Sequence, residues 1–288
     1  MQNIKKEIRI HHTYIEQLNE KLLKNCATIS IGHPSCIHKL TGMDMNTLGY
    51  LVNKYKRVKI EIPVLFDSHI EWLKKELETW IKYPVGLVVN DMGVLYYLKQ
   101  KPLPPDIEII LGRRLVFSYM HSPWYENIFL QEEPYIRNEW EDLNIKNEEM
   151  INFLREYNIK EIETDLLPQY RSSFKYLKKK GFKVSGFYGY PIVSLSRSCH
   201  SVRFYGGKIG ECQHLCDLPL KLEPMERWNR FEDTMIRISK HTRDSMGNLF
   251  VYGNVVVQDS CDIEEDSYQD QIDSFIIDYR FSPINMLS

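Results

Sequence analysis

Residues 58–90 read VKIEIPVLFDSHIEWLKKELETWIKYPVGLVVN. Val58 to Leu65 is a strand. Ile70, Leu73, Leu77, Trp80 and Ile81 then recur at i, i+3, i+7, i+10 and i+11, which puts them on one face of a helix over Ile70 to Lys82. Gly86 to Asn90 (GLVVN) is a short apolar run of the kind buried in a parallel sheet. The stretch alternates strand, helix, strand.

The alternation runs outward in both directions. Upstream, Tyr14 to Lys24 has a helical stripe of Ile15, Leu18, Leu22 and Leu23, followed by a strand over Ala27 to His33 (ATISIGH). Downstream, Asp91 is placed to cap a helix carrying Leu95, Tyr96 and Leu98. The prolines at 102, 104 and 105 end that region, and Ile107 to Val116 contains a fourth strand. Helices over Glu148 to Tyr157 and Pro168 to Lys180, the latter closed by Gly181, flank a strand at Glu161 to Leu166 (EIETDL). Lys183 to Val193, Leu249 to Val257 (LFVYGNVVV) and Phe275 to Phe281 (FIIDYRF) complete a set of eight strands, with a short acidic helix over 262–272 before the last. Eight strands separated mostly by helices predict an α/β, TIM-barrel-like (β/α)8 domain with a cysteine-rich segment after the sixth strand; a doubly wound sheet is the rival. The expected boundaries are an N-terminal extension over 1–26 and the barrel over 27–288. Within the barrel lie a lid or insertion at 119–147 and a cysteine-rich segment at 194–218.

Composition narrows the class. The 288 residues carry 37 Lys plus Arg against 39 Asp plus Glu, a net charge of −2, without the basic excess of a dedicated nucleic-acid binder. A hydrophobic fraction of 43% and a charged fraction of 26% belong to a folded globular chain. The chain has one alanine, Ala27, which reads as genomic bias. Neither a secretory h-region nor an apolar window of bilayer length is visible, so the expected location is cytoplasmic.

Cys199, Cys212 and Cys216 form C-x12-C-x3-C, and Cys36 directly follows the first of these strands. Segments leaving the strands of a parallel barrel meet at its C-terminal face, so Cys36 can approach the other three. Four thiolates suit an iron–sulfur cluster. They also suit structural zinc, although the spacing lacks the compact C-x2-C of zinc ribbons; buried, unligated thiols are the third reading. Cys26 and Cys261 lack such partners.

Gly189 to Asp217, GYPIVSLSRSCHSVRFYGGKIGECQHLCD, resembles the cysteine-rich signature of peptidase family U32. It is most similar to the iron–sulfur branch used in oxygen-independent ubiquinone synthesis (UbiV type). Ser196-Arg197-Ser198-Cys199 is a permuted form of that branch's Ser-x-Arg-Cys step. Gly32-His33-Pro34-Ser35-Cys36, Asn90-Asp91-Met92-Gly93 and the stretches Leu249 to Ser260 and Asp273 to Pro283 look like the same branch, so the resemblance covers about residues 27 to 285. It implies a TIM-barrel-like domain and a [4Fe–4S] cluster on Cys36, Cys199, Cys212 and Cys216. It also implies hydroxylation of a small, aromatic-type substrate without dioxygen, with prephenate linked to the family as an oxygen source, and a heterodimer with a second U32-like subunit. The family often carries Glu before the aromatic and glycine of the sixth strand. Here the run is Val184-Ser185-Gly186-Phe187-Tyr188-Gly189, without a carboxylate. A U32-type peptidase and a noncatalytic iron–sulfur partner subunit are the alternative functions.

Arg113 and Arg280, at strand ends, are candidates to clamp a substrate carboxylate, and Arg197 to bind substrate or tune a cluster beside Cys199. Glu163 and Asp165 share one strand face, either toward the barrel interior or at a solvated end. His33, His38, His200 and His214 flank candidate ligands. Tyr188, Tyr190 and Trp124 are aromatic pocket or core residues, and Pro123-Trp124-Tyr125 lies in the expected lid.

Overall fold

The computed structural model describes residues 4–17, 26–119, 132–196, 198–208, 211–217, 219–222, 248–258 and 263–281. The strands in chain order are β1 (Lys5–Ile10), β2 (Cys26–Gly32), β3 (Val58–Ile62), β4 (Val85–Val89), β5 (Glu108–Leu111), β6 (Glu161–Asp165), β7 (Lys183–Tyr188), β8 (Ile192–Leu195), β9 (Leu220–Leu222), β10 (Leu249–Tyr252), β11 (Val255–Gln258) and β12 (Ser274–Asp278). The order β1-β12-β7-β6-β5-β4-β3-β2 closes into a barrel in which every neighbouring pair is parallel. The remaining four form an antiparallel sheet in the order β8-β11-β10-β9.

The barrel is thus the expected one, but its membership differs at two places. Residues 5–10, expected to lie in an N-terminal extension, are β1. This strand pairs with β2 on one side and β12 on the other and closes the barrel. Its alternation of charge with Ile8 and Ile10 hides a strand that is buried throughout its C-terminal half. The expected seventh strand, residues 249–257, is instead the hairpin β10–β11, and it lies in the accessory sheet. Tyr252 pairs with Val255 across a two-residue loop, Gly253-Asn254, and Gly253 has φ +65°. Gly at the first central position of a two-residue loop is the type II′ pattern.

The helices are α1 (Met45–Lys54), α2 (Ile70–Trp80), α3 (Met92–Lys99), α4 (Pro134–Glu141), α5 (Glu148–Glu156), α6 (Arg171–Lys179) and α7 (His200–Phe204). Asp91 caps α3 as expected, accepting from Gly93 N at 2.8 Å and Val94 N at 3.2 Å. Leu73, Leu77 and Trp80 of α2 are buried, as their spacing predicts. The chain over His12–Gln17 is a 3-10 helix, and the rest of the helix expected to reach Lys24 lies outside the described residues. Another 3-10 turn, Glu265–Tyr268, stands within the acidic stretch. Of the expected lid, 120–131 lie outside the described residues. The described part carries α4 and the buried Leu143 and Ile145. Among the described residues, no helix is long and apolar enough to cross a membrane.

Apolar side chains of the strands pack outward against the helices, and the large core runs between those two layers. The barrel interior is instead a column of ion pairs. Lys59 Nζ reaches Glu7 at 2.5 Å, Glu161 at 2.7 Å and Glu163 at 3.0 Å. Arg9 bonds Glu163 and Glu7 at 2.6 and 2.8 Å and reaches Glu61 at 3.2 Å. Above them Arg113 pairs with Asp165 at 3.0 Å and Asp278 at 3.3 Å, and Arg280 pairs with Asp278 at 2.7 Å and with Glu61. Alternate positions on β1, β3 and β6 supply most of these groups because side chains alternate along a strand; Asp278 ends β12, and Arg113 and Arg280 follow β5 and β12. Glu163 and Asp165 therefore point into the barrel and are buried, not set at a solvated strand end. Glu7, Glu161 and Glu163 converge closely enough to resemble a metal site, but Lys59 and Arg9 already supply the positive charge there.

The column makes stability pH-dependent. Burial pushes the Glu161, Glu163 and Asp278 carboxyls up, but the facing cations override it and hold all three below their ordinary values. The cations are Lys59 and Arg57 for Glu161, Arg9 and Lys59 for Glu163, and Arg280 and Arg113 for Asp278. A carboxyl depressed in the folded state adds stability that is complete above its unfolded pKa of about 4 and is lost as pH falls toward its folded value. Glu7, raised by burial, runs the other way. The expected outcome is a urea midpoint that drops steeply below about pH 4. A midpoint constant from neutral pH down to about 3 would contradict the column's contribution.

Candidate functional site

The C-terminal end of β2 opens the site. Gly32 leaves the strand with φ +114°, and a Cβ there would lie 2.3 Å from the Glu61 carbonyl oxygen, so glycine is required. The following turn is folded around His33. Its Nδ1 accepts from Ser35 N at 3.2 Å and Cys36 N at 3.0 Å, which fixes that nitrogen as unprotonated. Burial, with Arg280 and Lys39 adding to it, keeps the imidazole well below its ordinary pKa and neutral. His33 therefore shapes the cysteine loop through its ring nitrogen. The Ser35 hydroxyl lies 3.4 Å from the same Nδ1 but donates to Asn254 Oδ1 at 2.8 Å. Neither group is poised as a serine nucleophile and its base.

Cys36 faces a cavity of about 530 Å³, and Cys199, Cys212 and Cys216 line it too. All four cysteines grouped by the sequence thus share one cavity. It is walled by the loops after β2 and β3, by α7 and by the tip of the β10–β11 hairpin. Cys199 is the N-cap of α7, Cys212 is exposed, and Cys216 lies on a 3-10 turn over Leu215–Asp217. His214, between the last two, has φ +54°, an uncommon backbone conformation for a non-glycine residue. The five described cysteines are free thiols. Cys26 bonds the Thr28 carbonyl and lies away from the cavity, and Cys261 is outside the described residues.

Burial pushes the Cys36 thiol up to about 12, and the neighbouring Cys216 and Cys212 push the same way. Ionising these thiols together requires a compensating positive charge, as a bound metal supplies. Among the described residues, no three cysteine sulfurs lie within 4.8 Å of one another. A single zinc, with Zn–S near 2.3 Å, would draw its tetrahedral sulfurs to about 3.8 Å apart. A cubane takes one thiolate at each corner iron and suits a wider spacing.

The remaining cavity wall is aromatic and imidazole-rich. Phe66 and His69 stand edge to face at 5.9 Å between ring centroids, and His69 and His38 at 6.2 Å. His214 lies on the same cavity, whereas His200 is on α7 outside its lining.

The arginines expected to clamp substrate are committed elsewhere. Arg113 is buried in its pairs with Asp165 and Asp278 and lies 3.7 Å over the Phe187 ring. Arg280 is held by Asp278 and Glu61 and donates to the Gly32 carbonyl at 2.8 Å. Neither lines the large cavity. Both brace the barrel beneath it because buried carboxylates engage their guanidinium groups. Arg197, Pro123, Trp124 and Tyr125 lie outside the described residues. Tyr188 packs on Phe275 in the core and bonds the Ile263 carbonyl, and Tyr190 packs in a small cluster with Tyr252, Val255 and Phe281.

Reading 249–257 as one strand hid the hairpin tip. Gly-Asn between two apolar runs was the signal available. The Gly253 carbonyl accepts from His200 N at 2.8 Å and Ser201 N at 3.1 Å at the start of α7. A Cβ on Gly253 would lie 3.1 Å from Cys216 Cβ. Gly253→Ala therefore combines a left-handed backbone cost of about 1–2 kcal/mol with pressure on Cys216. A melting temperature lower by about 2–6 °C is expected. An unchanged melt would show that the tip relaxes freely.

Comparison with known proteins identifies no relative: no protein-family model, no curated protein and no solved structure matches the chain.

Proposed function

We propose that Cys36, Cys199, Cys212 and Cys216 hold a [4Fe–4S] cluster. The protein then takes part in oxygen-independent hydroxylation of a small, aromatic-type substrate, by itself or paired with a related subunit. The observation that carries the cluster is the shared cavity: Cys36 of the β2 loop and Cys199, Cys212 and Cys216 line the same cavity at the C-terminal end of the barrel. The charge needed to ionise Cys36 beside other thiols supports a bound metal, and a cluster is preferred to a single zinc because the cysteine spacing lacks the compact C-x2-C of zinc ribbons. Hydroxylation rests on the resemblance to the U32 iron–sulfur branch carried by the quoted motifs.

When bound, such a cluster supplies one-electron redox chemistry. The chain's own residues do the rest. His33 and the hairpin tip orient the ligand loops. Phe66, His69 and His38 offer a ring-lined surface for a small molecule. The ion-paired column keeps the barrel interior beneath the site filled.

The test is iron and acid-labile sulfide content, with EPR, on protein purified without oxygen. About four of each per chain are expected. A chain that takes up no iron on reconstitution, or holds zinc instead, sinks the reading. A cluster that forms without hydroxylated product, even with the partner subunit present, would leave a noncatalytic role.

A further inference from the structure

We infer that Asn254 is the positioning residue of the cysteine site, holding Ser35, beside Cys36, and Ser196, three residues before Cys199, in one register. The inference rests on the cluster reading above and adds to it the device that brings two distant pieces of chain together.

Asn254 sits at the hairpin tip, lines the cavity and is 6% exposed. Its carboxamide is used up on two segments. Nδ2 donates to the Ser35 carbonyl at 2.9 Å and to the Ser196 carbonyl at 3.0 Å, and Oδ1 accepts from Ser35 Oγ at 2.8 Å. The backbone adds a fourth link, from Ser196 N to the Asn254 carbonyl at 2.9 Å. Ser35 precedes Cys36, and Ser196 stands three residues before Cys199, so one side chain ties together both halves of the ligand set.

The turn itself does not explain the asparagine. Gly253 already supplies the positive φ that a type II′ loop needs at its first central position. What the second position uses is a group with two donors and an acceptor, which an amide has and a carboxylate, hydroxyl or methyl lacks. In Asn254→Asp, an acceptor would face two carbonyl oxygens at nearly unchanged volume.

The experiment compares wild type, Asn254→Asp, Asn254→Ser and Ser35→Ala as full chains. The first readout is the alkylation rate of Cys36 in the metal-free protein, mapped by peptide mass, with the exposed Cys212 as internal reference. Asn254→Asp is expected to raise the Cys36 rate about tenfold relative to Cys212, because losing two hydrogen bonds opens the loop more often. Ser35→Ala, which loses one bond, should raise it about threefold. The second readout is cluster content and EPR line shape after reconstitution, which a merely destabilised but correctly registered site would not change. A lower content or altered line shape in Asn254→Asp is expected.

If Asn254→Asp does not fold, Asn254→Ser carries the test, since its short hydroxyl cannot span both carbonyls. Wild-type Cys36 reactivity in the folded Asn254 variants overturns the proposal. So does a loss of cluster with that reactivity unchanged. A wild-type chain without iron would instead sink the cluster reading, and the alkylation rates would still decide the role of Asn254.

Discussion

Alanine at any one of Cys36, Cys199, Cys212 or Cys216 is expected to remove most of the bound iron and sulfide, while Cys26→Ala keeps both. Removing just an outer partner of a metal ligand costs about 10–100-fold in affinity, and deleting a ligand should cost at least as much. The four positions face one cavity although the first is far from the others in sequence. Cys26 instead bonds a strand carbonyl and does not line that cavity, so its loss removes that bond and local packing and leaves the cavity's thiols in place. Iron and sulfide assays with EPR on each variant, purified without oxygen, decide the matter. If Cys36→Ala keeps a full cluster while the other three lose it, the β2 loop supplies no ligand and the assignment fails at that residue.

Arg9→Met is expected to be the most damaging substitution in the barrel. The Arg9 side chain is wholly buried and stands among Glu7, Glu61 and Glu163. Removing it leaves Glu7 and Glu163 sharing Lys59, and Glu61 facing Arg280, with one buried positive charge too few among them. Breaking a buried ion pair in this way costs about 3–5 kcal/mol. For a chain of this size that lowers the melting temperature by roughly 5–8 °C. Two variants separate lost charge from lost volume. Arg9→Lys keeps a cation and should recover part of the stability, and Arg9→Met with Glu163→Met should be more stable than Arg9→Met alone. Thermal and urea unfolding check both. A single variant that melts like wild type would mean that the carboxylates take up protons at little cost and that the column contributes little.

The same residues show why parts of the molecule were legible in the sequence. The β3–α2–β4 stretch announced itself because its apolar spacing satisfies local and tertiary demands together: Leu73, Leu77 and Trp80 are both the helical stripe and the buried face. Asp91 likewise caps α3 through contacts within three residues. β1 did not announce itself. Glu7 and Arg9 look like surface charges in sequence and are buried because Lys59, Glu61 and Glu163, on other strands, complete them. Arg113 and Arg280 misled for the same reason, since an arginine at a strand end looks available until its carboxylates are located.

For the site, the sequence by itself determined the cysteine spacing, the Gly-His-Pro-Ser-Cys turn after a strand and the alternation that predicts a parallel barrel. Each of these depends on neighbours along the chain. Tertiary structure alone decided that Cys36 shares a cavity with Cys199, Cys212 and Cys216, that residues 249–258 form a hairpin outside the barrel, and that Asn254 bridges Ser35 and Ser196. Those outcomes depend on which residues meet across space. Closure of β1 against β12 and the hydrogen bonds of the hairpin tip to the loop after β2 set that, and neither leaves a periodic mark in the chain.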